Sequence, residues 1–86
     1  MNISVELTLS PLQDTFEEPI IHFIKRLRES GFTVMENPLS TQIYGPYDEI
    51  MSFLTTEIRL AFERSENVLL HMKIVKTDRS DYEPNY

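Results

Sequence analysis

Residues 2 to 10 alternate strictly: Ile3, Val5, Leu7 and Leu9 are apolar, and Ser4, Glu6, Thr8 and Ser10 between them are polar. Successive side chains along a strand point to opposite faces, so this pattern demands a strand with one face buried and the other open. An 86-residue chain must find the cover for that face within itself or in a second copy. Chains of this length bury only ~60–65% of their unfolded surface, so the core is thin and self-association would add to it.

The rest of the chain supplies the cover. Pro11 ends the first strand, and "QDTFEE" leads into a helix with Pro19 near its first turn, where a missing N–H costs nothing. Ile20, Phe23, Ile24 and Leu27 recur at helical spacing, His22, Lys25, Arg26, Arg28 and Glu29 take the polar side, and Gly31 supplies a stop. "FTVME" is a short strand, "NPLS" a connection, and "STQIYG" a third strand closed by Gly45 and Pro46. Tyr47, Ile50, Met51, Leu54, Ile58, Ala61 and Phe62 form the stripe of a second helix, with Asp48 and Glu49 in its first turn. "SEN" turns the chain into "VLLHMKIV", a nearly continuous apolar strand, and a polar tail comes after it. Phe16, Phe23, Phe32, Phe53 and Phe62 mostly fall on core stripes.

The order β-α-β-β-α-β predicts an α+β, ferredoxin-like sandwich: a four-stranded antiparallel sheet with two helices on one face. Residues 1–78 form the single domain and 79–86 a polar C-terminal tail. The first and third strands are central and the other two are edges. Alternation turns Val5, Leu7, Val34, Ile43, Leu70 and Met72 to the helices, and Glu6, Thr8, Met35, Ser40, Gln42, Tyr44, His71 and Lys73 to the open face.

Composition removes several function classes. A net charge of −6 argues against nucleic acid and anionic membrane partners, and weakly favours a cationic small molecule. The absence of cysteine excludes disulfides and thiolate metal sites. No stretch approaches the ~20 apolar residues that span a bilayer, and the start is unlike a signal peptide, so the expectation is a soluble cytoplasmic protein with no membrane insertion. His22 and His71 lack metal-ligand spacing, and two glycines leave no phosphate loop. No nucleophile–base pair is legible, although Glu6 and His71 on adjacent strands are a conceivable acid–base pair. Catalysis is therefore not expected.

"ISVELTLSPL", "FIKRLRESGFTVMENPLSTQIYGPYDEIM" and "HMKIVKTDRSDYEP" together resemble the YkoF-like thiamine-binding protein family in its small single-domain form, over roughly the whole chain. The most specific part is "NPLSTQIYGPYDE" joined to "VEL" on the first strand. The resemblance implies thiamine, or its hydroxymethylpyrimidine moiety, as ligand and no further cofactor. It also implies homo-oligomers built through the sheets, commonly tetramers; the expectation here is a dimer or tetramer with the site at a subunit boundary.

On that reading the ligand-binding candidates are Glu6, Asn37, Ser40, Thr41, Gln42 and Tyr44. Ser40, Thr41 and Gln42 would read the edge of the pyrimidine, Glu6 its amino group or the thiazolium charge, and Tyr44 would stack on the cation. Each has a structural alternative. Ser40 and Thr41 suit strand-start capping, and alternation turns Thr41 to the helices. Asn37 suits a turn, Glu6 a cross-strand pair with Lys73, and Tyr44 a subunit contact. With net −6 and no obvious anion nest, phosphorylated ligands are less expected. The competing function is a regulatory or protein-interaction module of the same fold that oligomerises through its sheet without a ligand.

Overall fold

In the computed structural model, which describes residues 1–12 and 17–85, the elements run β1 Asn2–Pro11, α1 Glu17–Arg28, β2 Thr33–Glu36, β3 Thr41–Pro46, α2 Tyr47–Arg64 and β4 Val68–Lys76. The sheet order is β2-β3-β1-β4, and every neighbouring pair is antiparallel. The expected ferredoxin-like fold is observed, with β1 and β3 central. The lead-in to the first helix, including Phe16, lies outside the described residues.

Register fixes the faces. Val5 sits opposite Ile43 on one side and Ile74 on the other, and Leu7 opposite Thr41 and Met72. These residues share the helix side of the pleat. The core consists of Ile3, Val5, Leu7 and Ile43 from the sheet, Phe23 and Leu27 from α1, and Ile50, Leu54 and Ala61 from α2. Phe32 and Phe53 close its edge in a T-shaped pair with centroids 5.8 Å apart. Gly45 is the close-approach point: a Cβ there would stand 3.1 Å from Phe32 and 3.2 Å from Ile50. Gly31 takes φ +87°, the left-handed value anticipated after the first helix.

Two expectations need correction, one on α2 and one on α1. Phe62 and Tyr47 fit the periodic stripe of α2 but are 48% and 42% exposed, because the helices rest mainly on β1 and β3 and leave the stripe's ends uncovered. For the same reason Met72 and Ile74 on β4 stay 40% and 43% exposed although they face the helix side. His22, assigned to the polar side of α1, is half-buried, and its Nε2 has no hydrogen-bond partner among the described residues.

Candidate functional site

The open face of the sheet carries two polar rungs. In the first, β3–β1–β4 register aligns Gln42, Glu6 and Lys73; in the next it aligns Tyr44, Ser4 and Val75. Paired residues share a face, so these six side chains form one floor. With Arg79 from the segment after β4 they line a pocket of about 150 Å³.

The first rung is wired. The Gln42 amide donates to Ser40 Oγ (2.7 Å), and the Ser40 hydroxyl donates to Glu6 Oε2 (3.1 Å). Lys73 Nζ stands 3.7 Å from Glu6 Oε1. Both oxygens of the carboxylate are thereby held in a set orientation, with an amide and an ammonium beside it. Ser40 itself is fixed from two sides. Its amide and that of Leu39 donate to Asn37 Oδ1 (3.0 and 2.8 Å), and Thr8 Oγ1 donates to the Leu39 carbonyl (3.4 Å), tethering the β2–β3 connection to β1. Asn37 and Pro38 thus shape a turn that delivers Ser40 to the sheet.

In the second rung, Tyr44 is half-buried. Burial, then the Asp78 and Glu6 carboxylates, push its phenol above the ordinary tyrosine range. The hydroxyl therefore remains a protonated donor at neutral pH. What the pocket offers is an acceptor carboxylate, amide and ammonium donors and an aromatic ring, all on one side of a rigid sheet.

Of the six candidate residues, the structure brings Glu6, Gln42 and Tyr44 into this pocket and joins Ser40 to it by hydrogen bonds. Thr41 is 8% exposed and faces the helix side. Thr41, Asn37 and Ser40 line a separate cleft of about 210 Å³ between the β2–β3 connection and α1, whose other walls include Leu7, Phe23 and Ile24. Ser4, Val75 and Arg79 complete the pocket and escaped sequence reasoning. Ser4 was legible as a member of the polar row on β1, but Arg79 depends on a chain reversal that no local pattern signals. Among the described residues no group of three or more His, Asp or Glu could hold a metal ion. No described helix is long and apolar enough to cross a membrane.

A βαββαβ sandwich with a polar pocket on its uncovered sheet defines the class. The family model for thiamine-binding proteins matches residues 5–85, and the chain belongs to that family. A search of curated proteins returns no match. Among solved structures, a Thermotoga maritima protein assigned to thiamine biosynthesis or salvage superposes with TM-score 0.80 at 19% identity, covering 90% of this chain and 85% of the other. A Bacillus cereus domain of unknown function gives TM-score 0.75 at 15% identity, over 91% and 78% of the two chains. A hypothetical protein from Methanocaldococcus jannaschii gives 0.72 at 20%, over 95% and 84%. At these identities the likenesses establish the fold.

Proposed function

We propose that the protein binds thiamine or its hydroxymethylpyrimidine moiety, without catalysis, in the pocket on the open sheet face. The observation that carries this reading is the Gln42–Ser40–Glu6–Lys73 chain of contacts, joined to membership of a thiamine-binding family. An aminopyrimidine presents a donor amino group beside acceptor ring nitrogens. Glu6 matches the former, and the Gln42 amide and Lys73 match the latter. A pocket of about 150 Å³ suits one heteroaromatic ring and leaves the thiazolium at the rim near Tyr44.

The site sits at a boundary between two copies in this reading. One wall belongs to β4, an edge strand of nine residues whose outer side pairs with no strand among the described residues and which exposes Leu69, Met72 and Ile74. A second copy docking there would border Lys73 and Val75.

Calorimetric titration of ligand-stripped, refolded protein tests the proposal. Saturable heat with thiamine or hydroxymethylpyrimidine at ~1 μM, about −8 kcal/mol, is the expected result. Glu6→Ala and Ser40→Ala should each weaken binding ~10-fold, the loss of one charge-assisted hydrogen bond, with the thermal transition nearly unchanged. No heat from either ligand sinks the proposal and favours the ligand-free interaction module.

A further inference from the structure

Beyond Lys76 the chain doubles back over the open face. The Ser4 hydroxyl donates to the Thr77 carbonyl (2.6 Å) and accepts from the Arg79 amide (2.8 Å), so one side chain of β1 holds both ends of the reversal. Two short bonds tighten the segment from Asp78 to Tyr82: Ser80 N–H to Asp78 Oδ1 (2.9 Å) and Tyr82 N–H to the Arg79 carbonyl (3.1 Å). Thr77 takes φ 142°, a value that a β-branched residue rarely adopts unless its surroundings impose it. Ser4 is 7% exposed under this strap, although it stands on the uncovered side of the sheet.

The strap brings Arg79 to the wall of the pocket. The charges lining it are then Glu6 against Lys73 and Arg79, with the Asp78 carboxylate close enough to act on Tyr44. Glu6 is engaged by Lys73 and Ser40, and Asp78, the nearest acid in the strap, accepts from the Ser80 amide. Among the described residues no ion pair engages the Arg79 guanidinium. Distant acidic groups matter less than this arrangement, because exposed charges are screened beyond ~8 Å at physiological salt.

We propose that Arg79 is a specificity-determining residue of the pocket, and that the ligand it selects is a phosphate monoester of a small heteroaromatic alcohol. This rests on the binding reading above and narrows it. A ring reading the Glu6 rung would direct its hydroxymethyl arm along β1 toward the Ser4 rung. Two residues of strand separate the rungs, roughly 6.6 Å, which matches the reach from a pyrimidine ring to an esterified phosphate. A guanidinium meets phosphate oxygens through two parallel N–H donors, and it gains far less from a neutral hydroxyl. The local charge is thus balanced where the chain as a whole is acidic, and Arg79, free of ion pairs among the described residues, supplies the donor that the net charge of −6 does not suggest.

The test titrates hydroxymethylpyrimidine, its phosphate, thiamine and thiamine monophosphate into wild type and Arg79→Gln, at low salt and again in 0.5 M KCl. Wild type should bind hydroxymethylpyrimidine phosphate about 10-fold tighter than its alcohol at low salt, with the preference shrinking in KCl, whereas thiamine monophosphate, whose phosphate lies beyond the thiazolium, should gain less over thiamine. Arg79→Gln should abolish the preference, lowering ester affinity about 10-fold more than alcohol affinity. Hydroxymethylpyrimidine phosphate that binds no tighter than its alcohol overturns the assignment of Arg79 and leaves the pyrimidine site standing, as does a variant that weakens both alike. If no alcohol or ester binds, the assignment and the binding reading fail together.

Discussion

Glu57 is the residue that best separates pattern from structure. It lies on the buried side of α2, 3% exposed, between Leu54 and Ala61. Its two oxygens take both prongs of Arg26 on α1, Nε to Oε1 at 2.9 Å and Nη2 to Oε2 at 3.3 Å. This contact raises the Arg26 guanidinium further above its already high range. Removing one partner strands a buried charge, which costs more than removing both. Arg26→Ala should therefore lower the melting temperature by ~5 °C or more, and Arg26→Met with Glu57→Leu should recover much of it. Equal melting temperatures for wild type and Arg26→Ala in a thermal scan would show the pair to be inert. Glu57 stands beside the apolar stripe and went unread in the sequence, because its partner comes from the other helix. Ser4 is a second such case: alternation placed it on the polar row, yet its partners are backbone groups 73 and 75 residues away. Ser4→Ala should leave β1 paired and raise the hydrogen-exchange rate of the Arg79 amide by at least 10-fold, read by NMR; unchanged protection would mean that the strap is held elsewhere.

Between elements, the clearest link outside the core runs from the last turn of α1 to β2. Arg28 donates to both oxygens of Glu36, Nε to Oε2 at 2.7 Å and Nη2 to Oε1 at 2.8 Å. The Arg28 hydrogen bond, chiefly, holds the Glu36 carboxyl below the usual carboxylate range. A carboxyl depressed on folding adds stability above its unfolded pKa, and loses it as pH falls through the folded value. The melting temperature of wild type should thus exceed that of Glu36→Gln slightly at pH 7, and the gap should close as the pH drops below ~4. Because both groups are exposed, the gap is small and 0.5 M salt should shrink it. A gap that persists at pH 3 would assign it to something other than the ion pair. At this scale the sequence was most informative, since a period of 2 in β1 and of 3.6 in both helices reflects which face is buried. For β4 the fold order gave the edge position correctly, while its run of apolar residues gave no sign that Leu69, Met72 and Ile74 would stay exposed there.

For the whole molecule, that edge decides what state the chain occupies in solution. The two helices serve the two central strands, so β4 is left with an outer side that pairs with no strand among the described residues and with Leu69, Met72 and Ile74 between 40% and 45% exposed. Proteins that remain monomeric blunt such an edge with charge, proline or a bulge. Here β4 has no proline, and its cations Lys73 and Lys76 lie on opposite faces. A second copy of β4 would satisfy the free backbone groups and cover apolar surface on both faces at once, which neither a helix nor a loop achieves. Sedimentation equilibrium should therefore return at least a dimer at micromolar concentration. Met72→Lys with Ile74→Lys should move it toward monomer, because both changes put charge on the helix-side face of the edge while leaving the β1–β4 ladder intact. These positions are outside the ligand pocket, so thiamine affinity separates two arrangements. If affinity falls with the loss of mass, the site is shared between subunits; if it is unchanged, one copy holds the ligand alone. A wild-type chain that sediments as a monomer would remove the second copy from the proposed site altogether.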